Sequence, residues 1–345
     1  MAIKALDFYL PDELNATHPP EKRGVRRDHV RMMVLNRTTG DIRHDRFNHL
    51  MNYLEPGDLV ILNNSRTIPA VLKGKWLRRL EQLAPQVEVR LARRLNEDTW
   101  EALIVAAHVQ TGDTLQFSPD FSATIIENNG PSPLKTIQFS KRGTDLFNII
   151  YNLGEPIRYE YIHHPWALDY YQTVFASHPG SVEMPSAGRA FSWELLFTLT
   201  QKGVQFDYIQ LHTGLSYLLD DELEQSPEEN HEEYHISENT MEKILKTKAA
   251  GNRVIAAGTT VVRALESAAQ NNTLSGMTNL YIHQQYPLKI VDGIITGFHE
   301  PKASHLDMLS AFVSEEHLQK AYDEAIQSRY LWHEFGDMNL IVSHY

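Results

Sequence analysis

Residues 230–237 read NHEEYHIS, in which His231, Glu232 and His235 have the H-E-x-x-H spacing of zinc peptidases. On a helix, residues four apart lie about 6 Å from each other, so the two imidazoles could bind one zinc ion. On a strand they lie about 13 Å apart and cannot share an ion. Ser237 is the better helix N-cap, and the acidic run before the motif is typical of a solvated connection. We therefore predict an extended segment that holds no metal.

Extension would place alternate side chains of this segment on opposite faces of a strand. His231, Glu233 and His235 would share one face, and Glu232 would point to the other. An imidazole beside a carboxylate is a candidate acid/base or orienting pair. The alternative, two histidines on a solvated edge strand, stays open at this point.

Several turns place polar side chains directly after apolar runs that are typical of buried strands. In an open α/β sheet, ligands bind beyond the carboxyl ends of the strands, so such turns on one edge would form one pocket. The turns are NNSR with Asn64 and Arg66, PSAG with Ser186 and Gly188, LHTG with His212, GTT with Thr259 and Thr260, and TGFHEP with Thr296 and His299.

The Thr259-Thr260 pair lies in a turn directly before a predicted helix, VVRALESAAQ. Free backbone N–H groups at a helix start suit a carboxylate, a phosphate or a ribose hydroxyl. Threonine capping of the helix accounts for the pair equally well. The stretch is neither a Walker loop nor a dinucleotide fingerprint, so it does not identify a ligand.

The elements that position these turns are of two kinds. Short β-type runs separated by turn residues extend from Gly57 to about Ser140, which predicts a small barrel or sandwich. After Tyr151 helices alternate with strands, as in the helix that begins after Ser192 and ends at Gly203. This alternation predicts an α/β layer with a parallel or mixed sheet.

Composition places the chain among soluble proteins, with 42% hydrophobic residues and no apolar run long enough to span a bilayer. The first residues lack the pattern of a signal peptide, and the absence of cysteine excludes thiol chemistry. We expect a cytoplasmic enzyme without a membrane partner, present as a monomer or a weak homo-oligomer.

The formal net charge of −12 argues against a protein whose whole surface binds nucleic acid. Two basic clusters nevertheless stand out, the first with Arg26, Arg27 and Arg31 and the second with Lys73 and Lys75. They are either solvated surface or a stripe that binds the phosphates of an RNA.

Several phrases together resemble, in order and spacing, the S-adenosylmethionine:tRNA ribosyltransferase-isomerase family of queuosine biosynthesis. They are GDLVILNNSRTIPAVLKG, YYQTVFASHPGSVEMPSAGRAF, RVIAAGTTVVRALESA, GFHEP, SAFV and FGDMNLIV. The similarity extends from about Asp7 to Val342. It implies a large mixed-sheet α/β domain with an inserted small all-β barrel domain, which agrees with the change of pattern along the chain. We place the large domain at residues 1–62 and 155–345 and the barrel at 63–154.

The resemblance also implies a reaction. The ribosyl group of S-adenosylmethionine, a co-substrate, would be transferred to the 7-aminomethyl-7-deazaguanine base in the anticodon loop of tRNA and rearranged to give epoxyqueuosine. Such a transfer needs a base that removes a proton from the sulfonium-bearing carbon. We expect His212, His231 or His299 to be that base, and Glu233 to orient a histidine.

The remaining candidate residues fall into two groups. Those expected to bind S-adenosylmethionine are Asn64, Arg66, Gln172, Ser186, Gly188, Thr259, Thr260, Arg263, Thr296 and Asp337. Those expected to bind tRNA are Arg26, Arg27, Arg31, Lys73 and Lys75. No residue is expected to bind a metal.

The chain departs from the family pattern in the turns. Arg189 and Ala190 stand where a leucine-histidine pair is typical, Gly297 replaces an asparagine, and His305 and Asp307 replace apolar residues. These changes leave open an enzyme that uses S-adenosylmethionine or another nucleoside with a different acceptor. A non-catalytic nucleic-acid-binding module is disfavoured, because it would not need so polar a pocket.

Overall fold

A nine-stranded mixed sheet organises the larger part of the computed structural model, which describes residues 6–130, 132–216 and 231–343. Its strands lie in the order β15 (Ser275–Thr278), β13 (Glu232–Ile236), β12 (Gln205–Leu211), β3 (Leu59–Asn63), β14 (Val254–Ala257), β16 (Gly293–Thr296), β17 (Met338–Val342), β1 (Arg31–Asn36) and β2 (Ile42–Arg46).

Four central strands, β12, β3, β14 and β16, run parallel. Strand β3 shows why: each of its residues is buried, with Leu59 and Ile61 in the core on one face and Val60 and Leu62 in the core on the other. An uninterrupted apolar run of this kind is typical of a strand covered on both faces. The carboxyl ends of all four strands therefore lie at one edge of the sheet.

The second architectural unit is a closed antiparallel barrel. Its strands follow one another around the barrel as β10 (Leu134–Phe139), β7 (Thr99–Ile104), β6 (Glu81–Arg94), β5 (Val71–Arg78), β8 (Thr114–Ser118) and β9 (Phe121–Asn128). Its interior is a separate apolar core that contains the fully buried Trp100. The predicted fold class, an α/β domain with an inserted barrel, is confirmed.

Two details near the barrel differ from the sequence pattern. The run DLVILNN, grouped with the barrel strands by its spacing, is strand β3 of the main sheet, because an apolar run alone does not show which sheet a strand joins. Helix α1 (Gly143–Leu153), which the pattern missed, packs Leu146 and Ile150 against the barrel core. The boundaries 63–154 remain a prediction.

A small two-stranded parallel sheet connects the barrel to the main sheet. Strand β4 (Ser65–Thr67) follows β3 after one residue and pairs with β11 (His178–Ser181). The chain thus crosses from the main sheet to the barrel through β4.

Helices cover both faces of the main sheet. The predicted caps are confirmed, since the hydroxyl of Ser192 accepts from the N–H of Leu195 and Gly203 ends the same helix at a φ of 98°. The helices are α2 (Trp193–Lys202), α3 (Glu238–Ala249), α4 (Thr259–Asn271), α5 (Ser304–Ser310) and α6 (Glu315–Gln327). Short 3-10 turns span Asp12–Leu14, Pro20–Arg23, Arg27–His29, Phe47–Asn52, Leu168–Tyr171 and Ser186–Gly188.

Over the described ranges, every helix is too short or too polar to cross a bilayer.

The buried carboxylate of Glu266 on α4 fixes the loop that leads into β16. It accepts hydrogen bonds from the backbone N–H groups of Lys289, Ile290 and Val291 at 2.9, 2.9 and 3.1 Å. Its removal would leave three N–H groups without an acceptor in a closed space. We expect Glu266→Ala to lower the free energy of unfolding by about 3 kcal/mol, measured by urea denaturation. The exposed Glu238→Ala serves as the control, and an equal effect of both substitutions would contradict this account.

Candidate active site

The predicted polar turns do meet at one edge of the sheet. Because β3, β12, β14 and β16 are parallel, Asn64, His212, Thr259 and His299 leave their strands at the same end. Strand β17 runs antiparallel to β16, so Asp337, which precedes it, reaches this edge as well. The sheet thereby positions the candidate residues in one continuous region.

The side chain of Asn63, at the end of β3, organises the first part of this region. Its Oδ1 accepts from the N–H groups of Ser65 and Leu211 at 3.1 Å each, and its Nδ2 donates to the carbonyl of Leu211 at 2.8 Å. These bonds hold the end of β12 against the chain that leaves for the barrel. His212 follows immediately.

A chain of hydrogen bonds surrounds His212, and we call Ser65, Ser181, Gln210 and His212 the His212 cluster. The hydroxyl of Ser65 lies 2.7 Å from His212 Nδ1 and 2.6 Å from the hydroxyl of Ser181. The amide nitrogen of Gln210 lies 2.7 Å from His212 Nε2. A side chain at position 180 would press on the ring, since a Cβ built on Gly180 would lie 2.6 Å from His212 Nδ1.

These contacts specify the protonation state of His212. Burial lowers its pKa to about 4, with a further contribution from Arg94 and His178, so the imidazole is neutral at neutral pH. Gln210 can only donate from its amide nitrogen, so Nε2 accepts and Nδ1 donates to Ser65. The lone pair that a base would need is therefore engaged by Gln210.

A second imidazole lies at the end of β16. Nε2 of His299 is 2.9 Å from the hydroxyl of Thr296, and its ring stacks on that of His305 at 4.6 Å between centroids. Burial lowers the pKa of His299 to about 3, and the neighbouring His305 adds to this shift. Nδ1 of His299 makes no hydrogen bond with any described residue, so it offers a lone pair in the tautomer whose proton is on Nε2.

The PSAG turn lies against the start of α4, as the sequence predicts for a shared pocket. Gly258, with a φ of 107°, precedes Thr259, and a Cβ on it would contact Ala187 at 3.3 Å. The turn brings Ser186 close to Gly297 in one pocket. Thr259 and Thr260 form the first turn of α4, which begins two residues before the predicted start at Val261, and its N-cap is Gly258 without a side-chain cap.

Three candidate residues form the wall towards the barrel. Gln172 is held on the backbone of Thr67, accepting from its N–H at 3.1 Å and donating to its carbonyl at 2.7 Å. Arg66 is exposed, and its guanidinium lies 5.4 Å from the ring of Tyr151. The buried Oδ1 of Asn64 makes no hydrogen bond with any described residue.

The H-E-x-x-H segment is extended, as predicted: its residues from Glu232 onward form β13. Glu232 is buried and forms an ion pair with Arg263, while Glu233 and His235 are exposed. Arg263 donates to this carboxylate through one terminal nitrogen, while its buried Nε makes no hydrogen bond with any described residue. His231 is exposed, whereas Glu233 lies beside His212 in the sheet, since its backbone carbonyl accepts from the N–H of His212 at 3.2 Å.

Within residues 6–130, 132–216 and 231–343, no three histidine, aspartate or glutamate side chains are arranged to hold a metal ion.

The basic candidates differ in how firmly they are engaged. Arg26, Arg27 and Arg31 each have partners within the protein, which are Asp28, Glu21 and the carbonyl of Ser328, at 3.1, 3.1 and 2.7 Å. Lys73 pairs with Glu155 at 2.7 Å. Lys75 is exposed and has no ion pair among the described residues.

Asp337 joins two segments of the chain at this edge of the sheet. Its carboxylate accepts from the N–H of Arg31 at 2.9 Å and from that of Leu331 at 2.8 Å, which joins the start of β1 to the loop before β17. Burial raises its pKa.

The structure also shows residues of this region that the sequence pattern missed. Arg189, noted only as a departure, is buried and donates to Glu21 at 2.8 Å and to the carbonyl of Tyr170 at 2.8 Å. A group of aromatic and acidic side chains lies beside it: Tyr159, Tyr161, Glu183, Glu300, His333 and Glu334. The only signal for the tyrosines was an aromatic-rich stretch, RYEYIHHPWALDYY, without apolar periodicity.

Comparison with known proteins identifies the family. The family model described as "Queuosine biosynthesis protein" matches residues 3–341. The chain belongs to this queuosine biosynthesis family. It is 39% identical to the S-adenosylmethionine:tRNA ribosyltransferase-isomerase of Carboxydothermus hydrogenoformans and 37% identical to that of Aquifex aeolicus, over 99% of this chain and 100% of each relative.

A solved structure agrees with this assignment. The crystal structure of S-adenosylmethionine tRNA ribosyltransferase from Thermotoga maritima aligns with a TM-score of 0.56 and 32% identity, covering 98% of this chain and 99% of that one. Family membership therefore rests on the whole chain. Two residues that depart from the family pattern are held in the site by defined contacts. Arg189 forms an ion pair with Glu21, and His305 stacks on His299.

Three neutral imidazoles should make the stability of the fold depend on pH. Burial lowers the pKa of His212 and His305 to about 4 and that of His299 to about 3, whereas histidine in an unfolded chain titrates near 6.5. Between about pH 6.5 and 4 the unfolded chain binds protons that the folded chain does not. The free energy of unfolding should fall as the pH falls through this window.

The variant His305→Gln tests this dependence. At pH 5 this variant should take up about one proton fewer on unfolding than the parent protein. The number of protons is obtained from the slope of the free energy of unfolding against pH, measured by urea denaturation at several pH values. The exposed His163→Gln is the matched control. Identical slopes for His305→Gln and the parent would show that His305 titrates normally in the folded state.

Proposed function

We propose that the protein transfers the ribosyl group of S-adenosylmethionine to the 7-aminomethyl-7-deazaguanine base of tRNA and isomerises it, giving epoxyqueuosine. The observation that carries this proposal is the family match over nearly the whole chain at 39% identity to a relative of that name. The neutral imidazoles at the sheet edge supply the base that such a reaction needs. We place the reaction in the cytoplasm and the acceptor base in the anticodon loop.

Among the three candidate bases, His299 has the most suitable surroundings. Its Nδ1 makes no hydrogen bond with any described residue, whereas the lone pair of His212 accepts from Gln210 and His231 lies exposed. In our proposal His299 takes the proton from the carbon bonded to sulfur and becomes an imidazolium. The hydroxyl of Thr296 keeps the ring in place during the transfer.

The start of α4 is our candidate for the methionine carboxylate of S-adenosylmethionine. The first N–H groups of the helix, with Thr259 and Thr260, offer donors and a positive dipole to an anion. Ser186 lies on the turn that packs against this helix start and extends the same polar surface.

The variant His299→Gln tests the assignment of the base. It should lower kcat by at least about 100-fold, since amide nitrogen cannot take a proton, while affinity for S-adenosylmethionine changes little. Adenine release from labelled S-adenosylmethionine in the presence of tRNA carrying the deazaguanine base is the measurement. The exposed His235→Gln is the matched control, and full turnover of His299→Gln would move the role to another group.

The same assay addresses the acceptor. Adenine release that requires this tRNA supports the proposed function. Release that proceeds only with another acceptor would instead favour a different reaction on the same scaffold, for which the substitutions at Arg189 and His305 would be responsible.

Contact with tRNA phosphates is our proposal for the outer face of the barrel. Lys75 on β5 is exposed and makes no ion pair within the described residues, so it is available to a phosphate. We expect Lys75→Glu to weaken tRNA binding and to reduce the slope of log K against log salt by about 1. Lys320→Glu, on the exposed face of α6, is the charge-matched control. Equal slopes for the two variants would remove Lys75 from the interface.

A further inference from the structure

The hairpin that joins β5 to β6 is open on its β6 side. Strand β6 pairs with β7 only from Val89 onward, whereas residues 81–86 pair with β5 alone among the described strands. Most of residues 81–86 are exposed to solvent. We call residues 75–86 the barrel arm. Its tip is the two-residue turn of Arg79 and Leu80, which lies between the two strands.

A buried carboxylate holds the β5 side of the barrel arm on the barrel. Asp113, in the turn before β8, accepts from Nε and Nη2 of Arg78 at 2.8 and 2.9 Å and from Nε1 of Trp76 at 2.9 Å. The guanidinium of Arg78 also donates to the carbonyl of His108 at 2.8 Å. Because these bonds reach the last residue of β5, the tip that follows is presented in a fixed position.

The turn at the tip has a conformation that its residues disfavour. The φ angles of Arg79 and Leu80 are 48° and 71°, both in the left-handed region. A two-residue hairpin turn with two positive φ angles favours asparagine followed by glycine. Leu80 is also 94% exposed. A leucine kept in a disfavoured conformation and outside any core indicates a contact with another molecule.

Positive charge without a partner lies on both sides of this turn. The barrel arm carries a net charge of +2, from three basic residues and Glu81, on a chain whose net charge is −12. Arg78 is paired with Asp113. Lys75 and Arg79 are exposed and form no ion pair with the described part of the chain. These two cations are therefore available to phosphate groups.

The free edge of the barrel arm is closed to a further strand. Pro85 lies in the exposed part of β6 and has no N–H to donate, and the pairing of β6 with β5 shifts register after Gly74 and again after Trp76. Proline and bulges at an edge strand block its pairing with another sheet. A partner therefore meets the arm through side chains, which favours a polyanion over a second copy of this chain.

We propose, resting on the proposed function, that the barrel arm binds the double-stranded stem of tRNA next to the anticodon loop. Lys75 and Arg79 contact phosphates, and Leu80 lies against ribose rings in the minor groove. The minor groove of an RNA duplex is wide and shallow, and proteins recognise it by shape and backbone contacts rather than by sequence.

The distance from the polar edge of the sheet favours the stem over the loop. Strand β5 begins at Val71, four residues after Thr67, on whose backbone Gln172 is held. At 3.3 Å per residue, the path from Val71 to Arg78 covers about 23 Å. An acceptor base at the sheet edge keeps its own loop near the start of β5. An RNA that follows β5 would then meet the tip with its duplex.

The variant Arg79→Asn tests the phosphate contact. It should lower the affinity for tRNA about tenfold and reduce the slope of log K against log salt by about 1, because one phosphate contact is lost. Fluorescence anisotropy of labelled tRNA at several salt concentrations is the measurement. Lys320→Asn, which also removes one exposed cation, is the matched control and should leave the slope of the parent protein.

The variant Leu80→Gly tests the apolar contact in the same assay. It should also lower the affinity about tenfold, from the loss of one buried leucine side chain, but with the salt slope of the parent protein. Asparagine and glycine suit the positive φ angles of the turn, so both variants should melt at or above the temperature of the parent protein. Weaker binding by an equally stable protein cannot result from unfolding.

The choice of RNA separates the stem from the loop. A single-stranded oligonucleotide with the sequence of the loop should bind the parent protein and both variants equally. An equal loss of affinity for this oligonucleotide and for tRNA would place the contact in the loop and contradict the proposal. Affinity for tRNA like that of the parent protein in both variants would remove the barrel arm from the interface.

Turnover separates this proposal from the proposed function. Both variants should reach the kcat of the parent protein at saturating tRNA and differ from it in KM, because the arm lies away from the reacting atoms. If the parent protein releases no adenine with this tRNA while the variants still bind it less tightly, the arm assignment stands and the proposed transfer reaction is wrong.

Discussion

The carboxamide of Asn63 is the interaction on which the site depends. Strand β3 ends at Asn63, so its backbone does not pair with Leu211. The side chain of Asn63 bonds both the N–H and the carbonyl of Leu211 instead, as a further strand residue would. The main sheet therefore stays intact at the point where the chain leaves for the barrel through β4. Without such a substitute, the end of β12 would carry unpaired backbone groups in a buried place. Because these bonds fix Leu211, they also fix the start of the loop that carries His212.

Burial sets the chemical character of the sheet edge. His212, His299 and His305 are all neutral because burial penalises the imidazolium, and the stack of His299 on His305 adds to that effect. The guanidinium of Arg189 is satisfied by Glu21 and so does not impose its charge on the imidazoles. Two residues that depart from the family pattern thus fit the site without an uncompensated charge.

The overall charge of the molecule bears on how it could meet an RNA. A net charge of −12 opposes the approach of RNA. Most of the predicted basic residues offset this repulsion only in part, because they are already bonded within the protein. These residues are Arg26, Arg27, Arg31 and Lys73. Of the five predicted basic residues, Lys75 alone has no ion pair or hydrogen bond of its side chain with the described part of the chain, and it stays our candidate for a phosphate contact.

The sequence by itself determined the class of fold, the caps at Ser192 and Gly203, the extended conformation of the H-E-x-x-H segment and the polar turns after four buried strands. These features depend on local spacing and on side-chain type, which a sequence displays. The strand order, the pairing of Arg263 with Glu232 and the meeting of Tyr161, His333 and Glu334 were decided only by the tertiary structure. Contacts between residues far apart in the chain depend on which strands lie side by side, and burial by distant segments sets the pKa values of the groups they enclose.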